Sequence, residues 1–96
     1  MIRHIVMFQL KDNSPENVSC SKEILKSMKG KVPEVLELEV GADILHSNRS
    51  YDLALSVLVG DKEALERYQN DKYHVSVVKT HMHAVRESSI SVDYEI

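Results

Sequence analysis

The chain has 96 residues, of which 43% are apolar and 28% charged, as expected of one globular domain with a modest core. Twelve basic and 15 acidic residues give a formal net charge of −3, and no basic run stands out, so we expect neither nucleic acid nor an anionic membrane as partner. A single cysteine cannot form an intrachain disulfide, which favours a reducing compartment, and no apolar stretch approaches the roughly 20 residues of a membrane span. The composition therefore predicts one cytoplasmic domain over residues 1–96.

The first predicted element is a strand at residues 2–10, where side chains alternate between two faces. The more apolar face carries Ile2, His4, Val6, Phe8 and Leu10. The second face is half apolar, which indicates a strand covered on both sides. A helix start follows at residues 14–16, "SPE", because a serine hydroxyl can cap a helix and proline fits its first position. Gly30 and Pro33 mark the predicted end of this helix.

The rest of the chain predicts two strands, two helical stretches and a last strand. Residues 35–44 and 51–59 alternate with a period of two, and Asp61 caps a short helix at residues 62–69. A second helical stretch is indicated by apolar residues at helical spacing: Val75, Val78, Met82 and Val85. Residues 89–96 alternate again. We expect the apolar members of this last strand to point inward: Ile90, Val92, Tyr94 and Ile96. We expect the polar members to point outward: Ser89, Ser91, Asp93 and Glu95.

The order β-α-β-β-α-β predicts an α+β, ferredoxin-like fold with a four-stranded antiparallel sheet and helices on one face. The other face of the sheet is also partly apolar, since it carries Ile5, Met7, Ala54 and Leu58. An exposed apolar sheet face usually marks an interface. We therefore expect a homodimer in which the two sheets pack against each other.

Three of the five histidines, His74, His81 and His83, lie within ten residues. Two histidines of a helix that bind one metal ion are four residues apart, and none of the three separations fits that spacing. We therefore expect no metal site, and no glycine-rich loop or other motif predicts a cofactor. His81 and His83 flank Met82 of the apolar stripe, so we expect them at the edge of the stripe or in solvent.

The third histidine of this stretch, His74, is different, because it begins the second helical stretch, six residues after Tyr68. The two side chains can meet across the break between the helices, and a phenol beside an imidazole is a workable pair for proton transfer. The alternative is a structural hydrogen bond that closes the corner between the helices. His4 lies on an apolar strand face, where a polar side chain needs a partner or a cavity. A pocket between His4 and His74 is therefore one interpretation.

Several segments together resemble the stress-responsive A/B barrel (Dabb) family over essentially the whole chain: "IRHIVMFQLK", "VPEVLELEVG", "SYDLALSVLV", "DKEALERYQNDKYHVSVV" and "VDYEI". Many members read "HPxH" at the break between the two helical stretches. This chain reads "NDKYH" there, so His74 is the histidine that remains. The resemblance implies a ferredoxin-like protomer, a dimer that forms an α+β barrel, and a pocket between sheet and helices.

The resemblance also implies roles for particular residues. Certain plant members cyclise a polyketide without a cofactor, which would make His74 the general base and Tyr68 the residue that orients the substrate. A further pocket histidine of those cyclases falls on Leu53 of this chain. The implied pocket wall is His4, Val6, Phe8, Leu53, Leu65 and Val78. Some members hold a cation on backbone carbonyls after the first helix, here around Lys29, Val32 and Val35.

Three functions compete on this basis. The first is a homodimeric protein that binds a small apolar or aromatic molecule, with cofactor-free acid–base activity of the cyclase, lyase or isomerase type. The second is a non-catalytic stress or assembly protein whose dimer barrel is the functional unit. The third is a haem-handling or oxygenase relative, for which His81 would be the iron ligand. A cavity that touches His4, Tyr68 and His74 together favours the first, and a filled core favours the second.

Overall fold

The computed structural model describes all residues from Met1 to Ile96. The strands are β1 (Ile2–Leu10), β2 (Glu37–Ala42), β3 (Leu53–Val59) and β4 (Arg86–Glu95). The helices are α1 (Pro15–Lys26), α2 (Lys62–Gln69) and α3 (Thr80–Val85), and a π-helical segment, His74–Lys79, leads directly into α3. The sheet is antiparallel, with the order β2-β3-β1-β4. The predicted ferredoxin-like fold is confirmed, and no helix is long and apolar enough to cross a membrane.

Helix α1 begins where the sequence predicts. The Asn17 backbone N–H donates to the Ser14 hydroxyl at 3.3 Å, and Pro15 occupies the first turn. The helix ends at Lys26, earlier than expected, and the chain continues in turns in which Gly30 has φ +84°. A left-handed φ is accessible to glycine without the penalty that a Cβ brings. The glycine thus marks the turns after the helix and not its last residue.

The core lies between the sheet and the helices, and its apolar side chains come from every layer. Its fully buried members include Leu25, Met28, Val32, Leu53, Val57, Val59, Tyr68 and Val78. The inner face of β3 supplies three of them, since its apolar residues alternate as the sequence predicts. This packing fixes α2 and the π segment over the inner face of the sheet.

The predicted orientation of β4 is wrong. In the register of the sheet, Ile90 pairs with Met7 and Val92 with Ile5, on the outer face, away from the helices. Ile90 is 51% exposed and Val92 60% exposed. The polar members of the strand, which include Asp93, face the helices instead. The reason is that a period of two tells which residues share a face, whereas the neighbouring strand decides which face that is.

The predicted stripe of the second helical stretch is also partly wrong. Val78 and Met82 are buried, as expected, but Val75 is 44% exposed and His74 takes its place in the core. The stretch begins with a π-helical segment, whose hydrogen bonds join residues five apart and not four. Because the wider turn shifts the angular position of each residue, an α-helical spacing assigns the first turn to the wrong side.

Candidate functional site

A cavity of about 230 Å³, partly open to solvent, lies between the inner face of β1 and β4 and the helical layer. His4, Tyr68 and His74 all line it, each from a different element. The apolar part of its wall is formed by Val6, Phe8, Leu25, Leu55, Val78 and Met82. The remaining lining residues are polar, so the cavity can bind a small molecule that has both apolar and polar groups.

His74 is held at the start of the π segment by two contacts. Its backbone N–H donates to Asp71 Oδ1 at 3.0 Å, and its ring Nδ1 lies 2.9 Å from the backbone carbonyl of Tyr68. Since a carbonyl can only accept, Nδ1 carries the hydrogen and Nε2 has the free lone pair of a neutral imidazole. Nε2 has no protein partner, and no fully buried side-chain nitrogen or oxygen lacks one. Nε2 is therefore accessible from the cavity.

The surroundings of His74 favour its neutral form. Burial lowers the pKa of His74 below its ordinary value of 6.5, because the charged imidazolium loses hydration. The hydrogen bond to the Tyr68 carbonyl offsets part of this effect, and the charges of Lys79 and His4 lower the pKa further. His74 is thus a base that is ready to accept a proton at neutral pH.

Tyr68 packs between the two imidazoles. Its ring centroid lies 4.4 Å from that of His74 and 5.5 Å from that of His4, the latter in an edge-on arrangement. The phenol hydroxyl points to Met28 and donates to its sulfur at 3.7 Å, so it makes no hydrogen bond to His74. Burial, and secondly the charge of Asp93, raises the pKa of Tyr68, so the phenol keeps its proton.

His4 is anchored in the same way as His74. Its Nδ1 forms a short contact with Asp93 Oδ1, across the β1–β4 pair in which these two residues are direct neighbours. Nε2 of His4 has no protein partner either, and His4 lines the cavity. Two imidazoles therefore present Nε2 to one cavity, each with Nδ1 fixed by an acceptor. A fixed Nδ1 sets the tautomer and the orientation of a histidine ring.

Most of the predicted wall residues meet at this cavity. His4, Val6, Phe8 and Val78 line it, together with Tyr68 and His74. Leu53 does not, although Leu55 of the same strand does, and Leu53 is 2% exposed in the core. Leu65 is half-buried against the core and does not line the cavity either, because α2 presents Tyr68 there.

The two remaining histidines of the cluster have separate surroundings. His83 is exposed, as predicted, and lies at the rim of the cavity. His81 is half-buried, and its Nε2 lies 3.0 Å from the hydroxyl of buried Ser21 on α1, a contact that the sequence does not predict. His81 does not line the cavity, so the predicted iron ligand is not at this site. No group of three or more His, Cys, Asp or Glu side chains is placed to hold a metal ion.

The carbonyls after α1 lie where some members of the resembling family hold a cation. The Val32 carbonyl accepts a hydrogen bond from the Val35 N–H at 3.2 Å, so one of the three oxygens is partly engaged. No step of the function proposed below uses a cation there.

The side chains of the site that the sequence analysis missed include three that carry charge: Asp93, Lys79 and Arg86. Asp93 could have been found from the sequence. The alternation of the last strand puts this acid on the face that also carries His4, provided that β4 pairs with β1. Lys79 and Arg86 could not have been found in this way, because an α-helical spacing puts Lys79 off the apolar stripe and Arg86 was expected to precede the last strand. Both line the cavity.

The fold and the site define an α+β, ferredoxin-like domain with an imidazole-lined cavity. Residues 2–96 match the Stress responsive A/B Barrel Domain, Dabb, and the chain belongs to this family. An uncharacterised protein of Streptomyces coelicolor is 30% identical over 77 residues, which cover 77% of this chain and 79% of that protein.

Two solved structures place the fold among known ones. A dimeric protein of unknown function from Bacteroides fragilis is 24% identical, with a TM-score of 0.83 over 99% of this chain and 95% of that chain. The hydroxynitrile lyase of Passiflora edulis is 16% identical, with a TM-score of 0.83 over 99% of this chain and 92% of that chain. At these identities the likeness is one of fold.

Proposed function

We propose that this protein binds a small apolar or aromatic molecule in the cavity and removes a proton from it, with His74 as general base and without a cofactor. The observation that carries the proposal is the pair of imidazoles, His4 and His74, whose free Nε2 atoms share one cavity while each Nδ1 is anchored. A structural histidine needs no such opening, since both of its nitrogens can be satisfied within the core.

The proposed reaction begins when His74 Nε2 takes a proton from a carbon or hydroxyl of the bound molecule. The electron pair of the broken bond stays on the molecule, where it attacks a neighbouring carbonyl, shifts a double bond or expels a leaving group. These are the first steps of a cyclisation, an isomerisation and a lyase reaction respectively. His4, whose Nδ1 is held by Asp93, faces the same space, and its Nε2 can accept a hydrogen bond from the bound molecule and hold it in place. Tyr68 is a positioning residue in this scheme, because its hydroxyl is turned to Met28.

The substrate of one structural neighbour suggests the first compounds to assay. The Passiflora edulis protein is named a hydroxynitrile lyase, and cleavage of a hydroxynitrile starts with removal of its hydroxyl proton. We therefore include small aromatic hydroxynitriles among the compounds for a thermal-shift screen of the wild-type protein and its variants. A cavity of about 230 Å³ suits molecules of one aromatic ring.

The test uses a substrate that needs only a base in an apolar site. A nitrobenzisoxazole opens when a base removes its one acidic C–H proton, and the product absorbs visible light. We expect the wild-type protein to accelerate this reaction over free imidazole at equal concentration, and His74→Asn to lose that acceleration. Asparagine can still donate to the Tyr68 carbonyl from its amide nitrogen, but it has no group at the place of Nε2.

The matched control is His46→Asn, because His46 is an exposed loop residue with φ 51°, a conformation that asparagine tolerates. This control should keep the wild-type rate. A wild-type rate no higher than that of imidazole would refute the catalytic part of the proposal and favour the non-catalytic stress or assembly protein. Equal rates in the wild type and His74→Asn would assign the base to another residue.

We also propose that the protein is a homodimer that packs its outer sheet faces together. Met7, Ile90, Val92 and Tyr94 leave a contiguous apolar area on β1 and β4, exposed in the single chain. A patch of this kind is unusual on a monomer, and the Bacteroides fragilis neighbour is described as dimeric.

A cytoplasmic location is part of the same proposal, and the free, exposed thiol of Cys20 is compatible with a reducing compartment.

A further inference from the structure

The charged side chains that line the cavity are all basic. Lys79 and Arg86 contribute to its wall, whereas no aspartate or glutamate does. Asp93 of β4 is directed to His4. In a protein with a net charge of −3, a cavity lined only by basic charged groups differs from the average surface.

The π segment is what brings Lys79 to the cavity. Lys79 is five positions after His74, and in an α-helix two residues five positions apart point about 140° away from each other. In a π-helix the hydrogen bonds join residues five apart, so His74 and Lys79 lie almost one above the other on the same side. π-Helical turns are rare and often found at functional sites, so this placement is a notable feature of the chain.

Lys79 and Arg86 each have hydrogen-bond donors that the protein does not use. Lys79 Nζ donates one hydrogen bond to the Gln69 carbonyl at 2.7 Å, and Arg86 donates from one terminal nitrogen to the Ser89 hydroxyl at 3.1 Å. An ammonium has three donors and a guanidinium five, so most remain unused. None of the five ion pairs of the protein includes either residue. Two half-buried cations without a protein counter-ion therefore border a partly apolar cavity.

We propose that the cavity selects a small apolar or aromatic carboxylate, whose anionic group binds Arg86 and Lys79 while its apolar body lies against Phe8 and Met82. This inference rests on the proposed function, since it names the class of molecule that His74 would act on. The planar fork of arginine matches the two oxygens of a carboxylate, which favours that anion. A neutral ligand of the same shape would leave both cations without a partner.

The test compares two probes of nearly equal shape, phenylacetate and phenylacetamide, of which only the first is charged at neutral pH. NMR titrations follow the imidazole signals of His4 and His74. We expect phenylacetate to bind the wild-type protein about tenfold more tightly at low ionic strength, as one charge-assisted contact allows. The preference should shrink at about 0.5 M salt, because salt screens partly exposed charges.

Variants of Arg86 and Lys79 test whether these two side chains cause the preference for phenylacetate over phenylacetamide. Arg86→Gln and Lys79→Gln should each reduce the ratio of the two dissociation constants several-fold. Arg86→Lys, which keeps the charge but loses the planar fork, should reduce it less than Arg86→Gln. The matched control is Arg49→Gln, which makes the same change of net charge in an exposed loop and should leave the ratio unchanged. Melting temperatures of all variants show whether each is folded.

The outcomes separate this inference from the proposed function. If the amide binds the wild-type protein as tightly as the acid, or if Arg49→Gln lowers the ratio as much as Arg86→Gln, the selection of a carboxylate at this site is refuted, while a ligand cavity remains. If neither probe shifts either imidazole signal at about 10 mM, the inference is refuted as well. The nitrobenzisoxazole assay, whose substrate is uncharged, then decides the proposed function by itself. Tight binding of phenyl phosphate with no binding of phenylacetate would replace the carboxylate by a phosphate ester.

Discussion

His74 is tied to the backbone carbonyl of Tyr68, not to its hydroxyl, although the two rings lie 4.4 Å apart. The phenol hydroxyl donates to the weakly accepting sulfur of Met28. The orientation of the base therefore depends on the course of the chain at the end of α2 and on the ring of Tyr68, and not on the phenol oxygen.

The first prediction follows from that geometry and concerns Tyr68→Phe. This variant keeps the carbonyl and the ring, so we expect the proton-abstraction rate to stay within about threefold of the wild type and the free energy of unfolding within about 1 kcal/mol. Tyr68→Leu removes the ring against His74 and should alter the pH profile of the rate, because the imidazole becomes better hydrated. A loss of rate in Tyr68→Phe of about a hundredfold would mean that the hydroxyl contacts the substrate.

The second prediction concerns the pH dependence of stability. The pKa of His74 is below 6.5 in the folded protein and near 6.5 in the unfolded chain. Between these two values the unfolded chain holds a proton that the folded protein does not, so the free energy of unfolding rises with pH in this window. The contribution of neutral His74 is therefore complete above about pH 7 and declines as the pH falls towards the folded pKa.

Urea denaturation of the wild type and His74→Asn between about pH 5 and pH 8 measures this effect, since the other four histidines cancel in the difference. We expect the wild type to lose more stability than His74→Asn on acidification. A difference that is the same at every pH would show that His74 takes up its proton as readily in the folded protein as in the unfolded chain.

The third prediction concerns Asp93, the partner of His4. The side chain of His4 is only 7% exposed, so Asp93→Ala leaves a nearly buried donor without an acceptor. We expect this to lower the free energy of unfolding by about 1–3 kcal/mol, and Asp93→Asn, which keeps an acceptor oxygen, to cost less. Glu95→Ala removes an exposed acid from the same strand and serves as the control, with an expected change within about 0.5 kcal/mol. Equal effects of Asp93→Ala and Glu95→Ala would mean that His4 does not need its partner.

The fourth prediction concerns the outer sheet face. Val92→Lys places a charge in the middle of the proposed interface, where two copies would have to bury it, so we expect a dimer at micromolar concentration to become a monomer. Light scattering coupled to gel filtration measures the mass. Val75→Lys makes the same exchange on the exposed side of the π segment and should leave the dimer intact. A wild-type monomer, or a monomer produced only by Val75→Lys, would contradict the proposed interface.

Much of the fold could be predicted from local patterns. The alternation of β1 and β3, the Ser14 cap of α1 and the Asp61 cap of α2 all appear in the structure as the sequence indicates. These features depend on a few neighbouring residues, whose dihedral preferences and hydrogen bonds act over one turn or one strand. The fold class follows because the order of such elements leaves few ways to cover an antiparallel sheet.

The candidate site could be predicted only in part. The sequence points to His4, Tyr68 and His74, because a polar side chain on an apolar face and an aromatic residue beside a helix break are local observations. The pairing of His4 with Asp93 is not local, since the two residues are 89 positions apart in the chain and only the β1–β4 register makes them neighbours.

What the sequence by itself determined about this protein is therefore the order of the strands and helices and, within each strand, the residues that share a face, since the period of a strand is a property of its backbone. Only the tertiary structure decided that Ile90 and Val92 face outward, because the layer that covers a strand lies elsewhere in the chain. It also decided that Lys79 lines the cavity, because the helical stretch after α2 begins with a π-helical segment. The residue type fixes the chemistry of each side chain, and packing against distant elements decides which groups that side chain contacts.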